Sequence, residues 1–174
     1  MTYDFTEQLN SGKKGEWVMD KYHAPFYRID KVGRAVELAE GYDRIFTSRK
    51  EKRYRVEIKT DYLSQKYGNI IIETVSVDTH NIPGWALTSQ CDVLIFYLWH
   101  LHEVLYYWMP VIKEQVPAWK LRYGETAIIP NDGYNTIGIK LPLDTAREYT
   151  FAIRSTIDPY WMKENHKTWA GCDG

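Results

Sequence analysis

Apolar and polar side chains alternate along RYRVEIKT, residues 53–60. Successive side chains of a strand point to opposite faces of its sheet, so this pattern predicts a strand with one apolar and one charged face. The preceding segment YDRIFT, residues 42–47, predicts a short strand after Gly41, and the charged stretch between the two segments predicts a turn. Together they predict a hairpin in which Glu57 and Lys59 share the charged face.

Further strands are predicted downstream of the hairpin. NIIIETV, residues 69–75, is apolar on both faces apart from Glu73, which predicts a strand in the middle of a covered sheet. CDVLIFYLWH, residues 91–100, predicts another buried strand, and HEVLYYWM, residues 102–109, predicts its neighbour. NTIGIKLPL, residues 135–143, predicts an edge strand because it contains a proline.

Helices are predicted at three places in the chain. Residues 15–22 carry apolar side chains near helical spacing, and Pro25 closes the segment. Residues 110–121 predict a helix that begins with proline, which Pro117 is expected to shorten or kink. A short helix is predicted over residues 145–151, with an aspartate before it as the cap.

This order of elements predicts an α/β fold, a sandwich with a central mixed β-sheet flanked by helices. The chain has 174 residues, of which 44% are hydrophobic and 26% charged, an ordinary balance for one globular domain. No repeat or linker divides it. Residues 1–122 are therefore interpreted as the core, and residues 123–174 as a C-terminal extension that packs on the core or trails from it.

Cysteine content and hydropathy bear on the compartment. The two cysteines, Cys91 and Cys172, exclude a disulfide framework or a cysteine metal site. The N-terminus lacks the apolar stretch of a signal peptide, and the longest apolar run, residues 93–101, is too short to cross a bilayer. We expect a soluble protein of the cytoplasm, or of the host cytoplasm if the source is a virus, without a membrane partner.

The net charge of −1 does not favour a nucleic-acid partner, because affinity for a polyanion comes largely from lysine and arginine. The charges are unevenly distributed, however. Residues 1–66 hold 14 Lys and Arg against 11 Asp and Glu, a balance of +3, so the remaining segment carries −4. Positive charge therefore leans toward the half with the candidate chemistry, although a solvated surface with no partner explains the asymmetry equally well.

Asp43 and Glu57 are the first candidates for chemistry. Phosphodiester hydrolysis needs hard oxygen ligands for Mg²⁺ and a group that orients or deprotonates the attacking water. If the hairpin forms, both carboxylates lie on adjacent strands within reach of one ion. Lys59 is two residues from Glu57 on the same face, where its ammonium could hold the water and offset phosphate charge.

The sequence GYDRIF followed by VEIK resembles the PD-(D/E)XK nuclease superfamily, in which a carboxylate on one strand precedes a (D/E)XK triplet on the next. The matching residues are Asp43 and the triplet Glu57, Ile58 and Lys59. The resemblance implies that the Ile58 carbonyl joins the metal shell and that a glutamate on the preceding helix assists. Glu16 holds that place here, as in members similar to Holliday-junction resolvases and phage endonucleases.

The resemblance covers roughly residues 11–98, and Tyr42 stands where the name-giving proline would be. It implies a restriction-endonuclease-like α/β sandwich and an endonuclease that hydrolyses DNA with Mg²⁺, for which Mn²⁺ can substitute. Resolvase-like members act as homodimers because two symmetric cuts need two sites, so a homodimer is a possible assembly.

Other polar residues leave alternatives open. Glu73 is either a further site carboxylate or a buried residue paired with an arginine, because an isolated buried carboxylate is costly. Lys66 could contact a phosphate or remain a solvated loop residue. His100 and His102 could recruit a metal, but without a suitable third ligand they predict a partly exposed turn.

Two alternative functions belong to other classes. A nuclease-like fold without activity could serve as a DNA-binding or assembly module. Seven Trp, fourteen Tyr and five Phe could instead form a pocket for a small ligand. Dependence of stability on metal would separate the nuclease from both.

Overall fold

The computed structural model describes residues 5–156, with side chains described from residue 12 onward. Predictions that concern residues 157–174 lie outside the described residues. The helices are α1 (Phe5–His23), α2 (Arg34–Glu40), α3 (Ser64–Tyr67), α4 (Trp85–Thr88), α5 (Met109–Tyr123) and α6 (Leu143–Glu148). The strands are β1 (Tyr27–Lys31), β2 (Arg44–Ser48), β3 (Arg53–Asp61), β4 (Asn69–Val77), β5 (Ile82–Pro83), β6 (Val93–Leu98), β7 (Glu103–Trp108), β8 (Ala127–Pro130), β9 (Asn135–Pro142) and β10 (Ala152–Ser155).

The strands form two sheets. A six-stranded sheet has the order β1-β2-β3-β6-β7-β10, and a four-stranded sheet has the order β5-β4-β9-β8. The larger sheet is mixed, because β3 and β6 run parallel while its other pairs of neighbouring strands are antiparallel. The predicted α/β fold with a central mixed sheet flanked by helices is confirmed, and so is the predicted hairpin of β2 and β3.

Three predictions need correction. Residues 135–143 do not form an edge strand, because β9 pairs with both β4 and β8. Pro142 is the last residue of β9, where a missing N–H interrupts no interior part of the ladder. Pro117 lies inside α5 without shortening it, so of the two expected effects only the kink stays a prediction. The last helix, α6, begins earlier than predicted and has Pro142 as its N-cap, with Asp144 in the first turn.

The strand NIIIETV is only partly as predicted. It forms β4, which lies between β5 and β9 but in the smaller sheet. Ile70 and Ile72 are fully buried, whereas Ile71, on the other face, is half-buried. Residues 127–155, which the sequence analysis assigned to an extension, supply β8 and β9 of this sheet and β10 of the larger one.

Apolar clusters cover both faces of the six-stranded sheet. On one face, Val56 and Ile58 of β3 pack with α1. On the other, Leu94 and Phe96 of β6 pack with residues of α5, β4 and β9. Because side chains alternate along a strand, Glu57 and its neighbours at every second position of β3 point away from α1. In the described part of the chain, we find no helix with the length and apolar character needed to cross a membrane.

Helix α1 approaches β3 very closely at Gly15. A Cβ atom added there would lie 1.8 Å from the Thr60 hydroxyl oxygen, far inside any real contact. The Thr60 oxygen is buried and has no hydrogen-bond partner. The separation between helix and strand is therefore set by a glycine backbone against a threonine side chain, next to the residues that carry the candidate chemistry.

His23, the last residue of α1, is buried between the helix and the sheet. Its Nδ1–H donates to the Met19 carbonyl at 2.7 Å, because a carbonyl can only accept. Nε2 must then accept from the Tyr106 hydroxyl at 2.8 Å, which defines a neutral imidazole. Burial lowers the pKa of His23 to about 4, against the opposing effects of the Met19 hydrogen bond and the Asp20 charge.

We expect this histidine to make stability depend on pH. Its folded pKa lies below its unfolded value, so the unfolded chain binds the proton first as the pH falls. The stabilisation is complete above pH 6.5 and is lost toward pH 4, by about 3 kcal/mol in total. Urea unfolding over this range should show a smaller loss for His23→Gln than for wild type. The exposed control His80→Gln should follow wild type; parallel profiles for all three would contradict the assignment.

Candidate active site

Asp43 is placed beside Glu57 by the register of the hairpin. The Asp43 N–H donates to the Val56 carbonyl at 3.1 Å, which fixes Asp43 against β3 just before β2 begins. Its Oδ2 accepts from the Ile58 N–H at 3.3 Å. The Asp43 side chain therefore lies along β3 at the level of Glu57, and the two carboxylates are brought together as the hairpin requires.

Lys59 contacts Glu57 directly. Its Nζ lies 2.5 Å from Glu57 Oε1, and it sits 5.9 Å from the centre of the Trp85 ring. The Glu57 carboxylate is buried, while one third of the Lys59 side chain stays accessible. Burial alone would lower the pKa of Lys59, but the charge and hydrogen bond of Glu57, together with Glu73, raise it above its usual value. Lys59 is therefore a cation at neutral pH.

Glu73 lies close enough to Lys59 for their charges to interact, although it belongs to the four-stranded sheet. Its Oε1 accepts from the Trp85 N–H at 3.3 Å, and Gly84 packs directly against its backbone. Burial raises the pKa of Glu73, while the charge of Lys59 opposes that rise. Its described hydrogen bonds and charge interactions are with Trp85, Ser76, Lys59 and Glu57, and no arginine is among them.

Asp43 has an unfavourable electrostatic environment. The carboxylate is buried, and its Oδ1 has no hydrogen-bond partner; the nearest cation is the Arg44 guanidinium, with Nη1 3.6 Å away. Burial and the charge of Glu57 raise the pKa of Asp43 well above its usual range, although Arg44 partly offsets them. The two carboxylates repel each other unless a proton or a cation lies between them.

Arg44 is the residue that the sequence analysis missed. Its side chain is only 4% exposed and is held by Asp20, with Nε at 2.9 Å from Oδ1. Its Nη2 donates to Glu16 Oε2 at 2.9 Å, and its Nη1 donates to the Asp43 carbonyl at 2.9 Å. The charge of Glu16 reaches Asp43, but its carboxylate is bound to Arg44.

These residues lie on both faces of the sheet. Arg44 is paired in register with Val56, whose side chain packs on the α1 face. Glu57 and Lys59 point to the opposite face, toward Trp85. Asp43 lies at the junction, where the buried ion pairs of Arg44 meet the Glu57–Lys59 pair.

Two further candidates stand apart from this group. Lys66 is exposed on α3, with its Nζ 5.0 Å from the Tyr67 ring centre. His100 lies in the 3-10 turn Trp99–Leu101, and His102 follows it in the left-handed conformation. The predicted partly exposed turn at the two histidines is confirmed.

No protein-family model matches this sequence, and no curated protein matches it. Among solved structures, the chain is similar to a bacterial homing endonuclease, I-Ssp6803I. The alignment covers 94% of this chain and 96% of the other, with 14% sequence identity and a TM-score of 0.46. The chemistry of the candidate site must therefore be derived from its own geometry.

A divalent cation at this site would have to be held by carboxylates. Across the described residues, no group of three or more His, Cys, Asp or Glu side chains is arranged as a metal site. Asp43 nevertheless offers a buried oxygen without a hydrogen-bond donor, next to a second carboxylate, Glu57. Hard oxygen donors of this kind suit Mg²⁺. The fit requires Glu57 to exchange its contact with Lys59 for the cation.

Proposed function

We propose that this chain is a metal-dependent endonuclease of the PD-(D/E)XK type that hydrolyses phosphodiester bonds of DNA. The observation that carries the proposal is the buried, mutually repelling pair of Asp43 and Glu57, with the Lys59 ammonium against it. A cation between the carboxylates would relieve their repulsion. This gives the costly burial of Asp43 a chemical purpose.

In the proposal, Asp43 and Glu57 would hold Mg²⁺ together with the Ile58 carbonyl, and Mn²⁺ could substitute. When bound, the cation polarises the phosphate and offsets its charge in the transition state. Arg44 holds the Asp43 backbone in place through the carbonyl. Glu16 supports the site by fixing the Arg44 guanidinium.

Lys59 orients the attacking water in this proposal. Its raised pKa makes it a poor general base, because it keeps its proton at neutral pH. Its three N–H donors can position a water oxygen and stabilise negative charge on the phosphate. Glu73, whose pKa burial raises, lies beside Lys59 and is the carboxylate best placed to accept a proton from that water.

The alternative of an inactive binding module is less well supported. Two buried carboxylates that face a polyanion would repel it without a cation between them. Because cutting both strands of a duplex takes two such sites, the proposal includes a homodimer.

A small-ligand pocket has one specific observation in its favour. A cavity of about 630 Å³ lies on the α1 side of the sheet, lined largely by aromatic side chains, including Tyr27, Phe46 and Tyr106. A cavity of this size could enclose a drug-sized ligand. Ligand binding there would not depend on Asp43 or on metal, which separates the two functions experimentally.

We expect Lys59→Met to reduce metal-dependent cleavage by on the order of a hundredfold or more, because the water loses its positioning cation. The measurement is cleavage of labelled duplex, single-stranded, nicked, flap and four-way-junction DNA with Mg²⁺ or Mn²⁺. Lys140→Met, at an exposed position of β9, makes the same charge change and should cut like wild type. Binding without cutting by the wild type would favour the inactive module, and equal activity of Lys59→Met would refute the assigned role.

A further inference from the structure

A second cavity, of about 590 Å³, lies where the start of β3 meets the start of α5. Four cationic side chains line it: Lys52, Arg53, Arg55 and Lys113. We infer that this basic groove binds the phosphate backbone of the DNA that the candidate active site cuts. The inference rests on the proposed function and assigns that site its substrate-binding surface.

The groove continues the charged row of β3. Arg53 and Arg55 occupy the same alternating positions as Glu57, so the three side chains share one face of the strand. At a rise of about 3.3 Å per residue, Arg55 and Arg53 lie roughly 7 and 13 Å from Glu57 along the strand. Cationic positions therefore extend in a line away from the carboxylates, as a linear polyanion requires.

The groove also adjoins the site through its inner wall. Cys91 lines the groove, and its thiol forms a hydrogen bond with the backbone of Glu57. Ser89, also in the lining, donates its hydroxyl hydrogen bond to the Gly41 carbonyl, two residues before Asp43. The groove and the carboxylates therefore share a wall, formed by Ser89 and Cys91.

The groove carries an excess of positive charge. Asp92 neutralises Arg55 through a pair of hydrogen bonds, with Arg55 Nη2 2.8 Å from Oδ1 and Nε 3.2 Å from Oδ2. Among the described residues, Lys52, Arg53 and Lys113 take part in no salt bridge. The charge of Glu40 also reaches Arg55, so the surplus lies with the other three cations.

This surplus is notable in a chain with a net charge of −1. A surplus concentrated beside two carboxylates counteracts their repulsion of a polyanion and gives binding that does not depend on base sequence. The cations come from a strand, a turn and a helix, which places them along a path. An extended backbone fits this spread, whereas a single inorganic phosphate would need donors that converge on one point.

The test is the salt dependence of duplex binding without divalent metal, so that no cleavage occurs. The triple variant Lys52→Ala/Arg53→Ala/Lys113→Ala removes the surplus. A matched variant, Lys21→Ala/Arg122→Ala/Lys140→Ala, makes the same charge change at exposed positions outside the groove. Affinity is measured by fluorescence anisotropy over a series of salt concentrations, with inorganic phosphate as a competitor at constant ionic strength.

We expect the groove variant to bind at least about tenfold more weakly and its log K against log salt slope to fall in magnitude by about 2.7, or 0.9 per lost phosphate contact. The matched variant should stay close to wild type, and inorganic phosphate should compete poorly. Equal losses in both variants, no loss in either, no duplex binding by wild type, or displacement by phosphate alone would each overturn the inference.

The proposed function is scored separately by adding Mg²⁺ to the same proteins. If wild type cuts DNA but the groove variant binds and cuts as well as wild type, the DNA-binding role of the groove is refuted and the nuclease activity is supported. If the groove variant loses binding but wild type never cuts DNA with any metal, the DNA-binding role of the groove is supported and the proposed nuclease activity is refuted. Matching melting temperatures of the variants establish that each is folded.

Discussion

Replacing Asp43 by asparagine should reduce the rate of metal-dependent cleavage by on the order of a thousandfold or more. The same replacement should stabilise the metal-free protein. The variant loses a metal ligand, which accounts for its lower activity. Its higher stability follows from the linkage between unfolding and proton binding at Asp43. Burial and Glu57 raise the folded pKa of Asp43 above its unfolded value, so the folded protein holds a proton that the unfolded chain has lost. The contribution of Asp43 to stability is therefore lost as the pH rises from about 4 toward its raised folded pKa.

Asparagine does not ionise, so the variant should escape this loss. We expect it to exceed wild type by roughly 1–3 kcal/mol at neutral pH in chelator. Mg²⁺ should raise the melting temperature of wild type and leave the variant unchanged. Asp30→Asn, on an exposed part of β1, makes the same charge change and should alter neither property. A variant that still cuts, or that Mg²⁺ still stabilises, would show that Asp43 holds no cation.

Arg44→Met should destabilise the protein by about 3–5 kcal/mol, the range for removing one partner of a buried ion pair. Methionine fills similar space but leaves the Asp20 and Glu16 carboxylates without their cation. It also removes the cation that forms the described ion pair with Asp43. Urea unfolding at neutral pH measures the loss, and adding Asp20→Asn should restore part of it.

The comparison for Arg44 is an arginine on the surface. Arg28 pairs with Asp30 at 3.4 Å, and both side chains are more than half exposed. Arg28→Met should change the free energy of unfolding by less than about 1 kcal/mol, as for other exposed pairs. Equal effects at Arg28 and Arg44 would mean that the buried cluster does not hold α1 against the sheet.

The hairpin and the placement of its three polar residues were predictable because both depend on the pattern of residues that are close in sequence. Alternation along β3 fixed which side chains share a face, and the short turn fixed which strand lies beside it. Asp43, Glu57 and Lys59 therefore needed only one correct pairing. Glu73 was harder to place, because its proximity to Lys59 depends on how two separate sheets pack, which no local pattern encodes.

Arg44 was missed for a physical reason. An arginine next to a turn is usually solvated, and its burial here depends on two carboxylates from a distant helix. One signal was present: Glu16 and Asp20 are four residues apart and so share one face of α1, close to the buried Val18 and Met19. Two acids beside an apolar helix face call for a basic partner.

The smaller sheet shows another limit of local patterns. The sequence from Asn135 predicts a strand correctly but says little about its neighbours, since the proline that suggested an edge lies at the strand terminus. Gly138 gives the better indication in retrospect. A Cβ there would meet Ile71 and Ile72 of β4 within 3 Å, so the glycine marks close packing against another strand.

The contact between Gly15 and Thr60 has a consequence for how this sequence can vary. Gly15 precedes Glu16, and Thr60 follows Lys59, so the contact ties the helix that holds Arg44 to the strand that carries the ammonium. Neither position can accept a larger residue unless the other shrinks. In a population of drifting sequences, the two sites would have to change as a pair. A larger residue at either one alone would misalign both halves of the site at once.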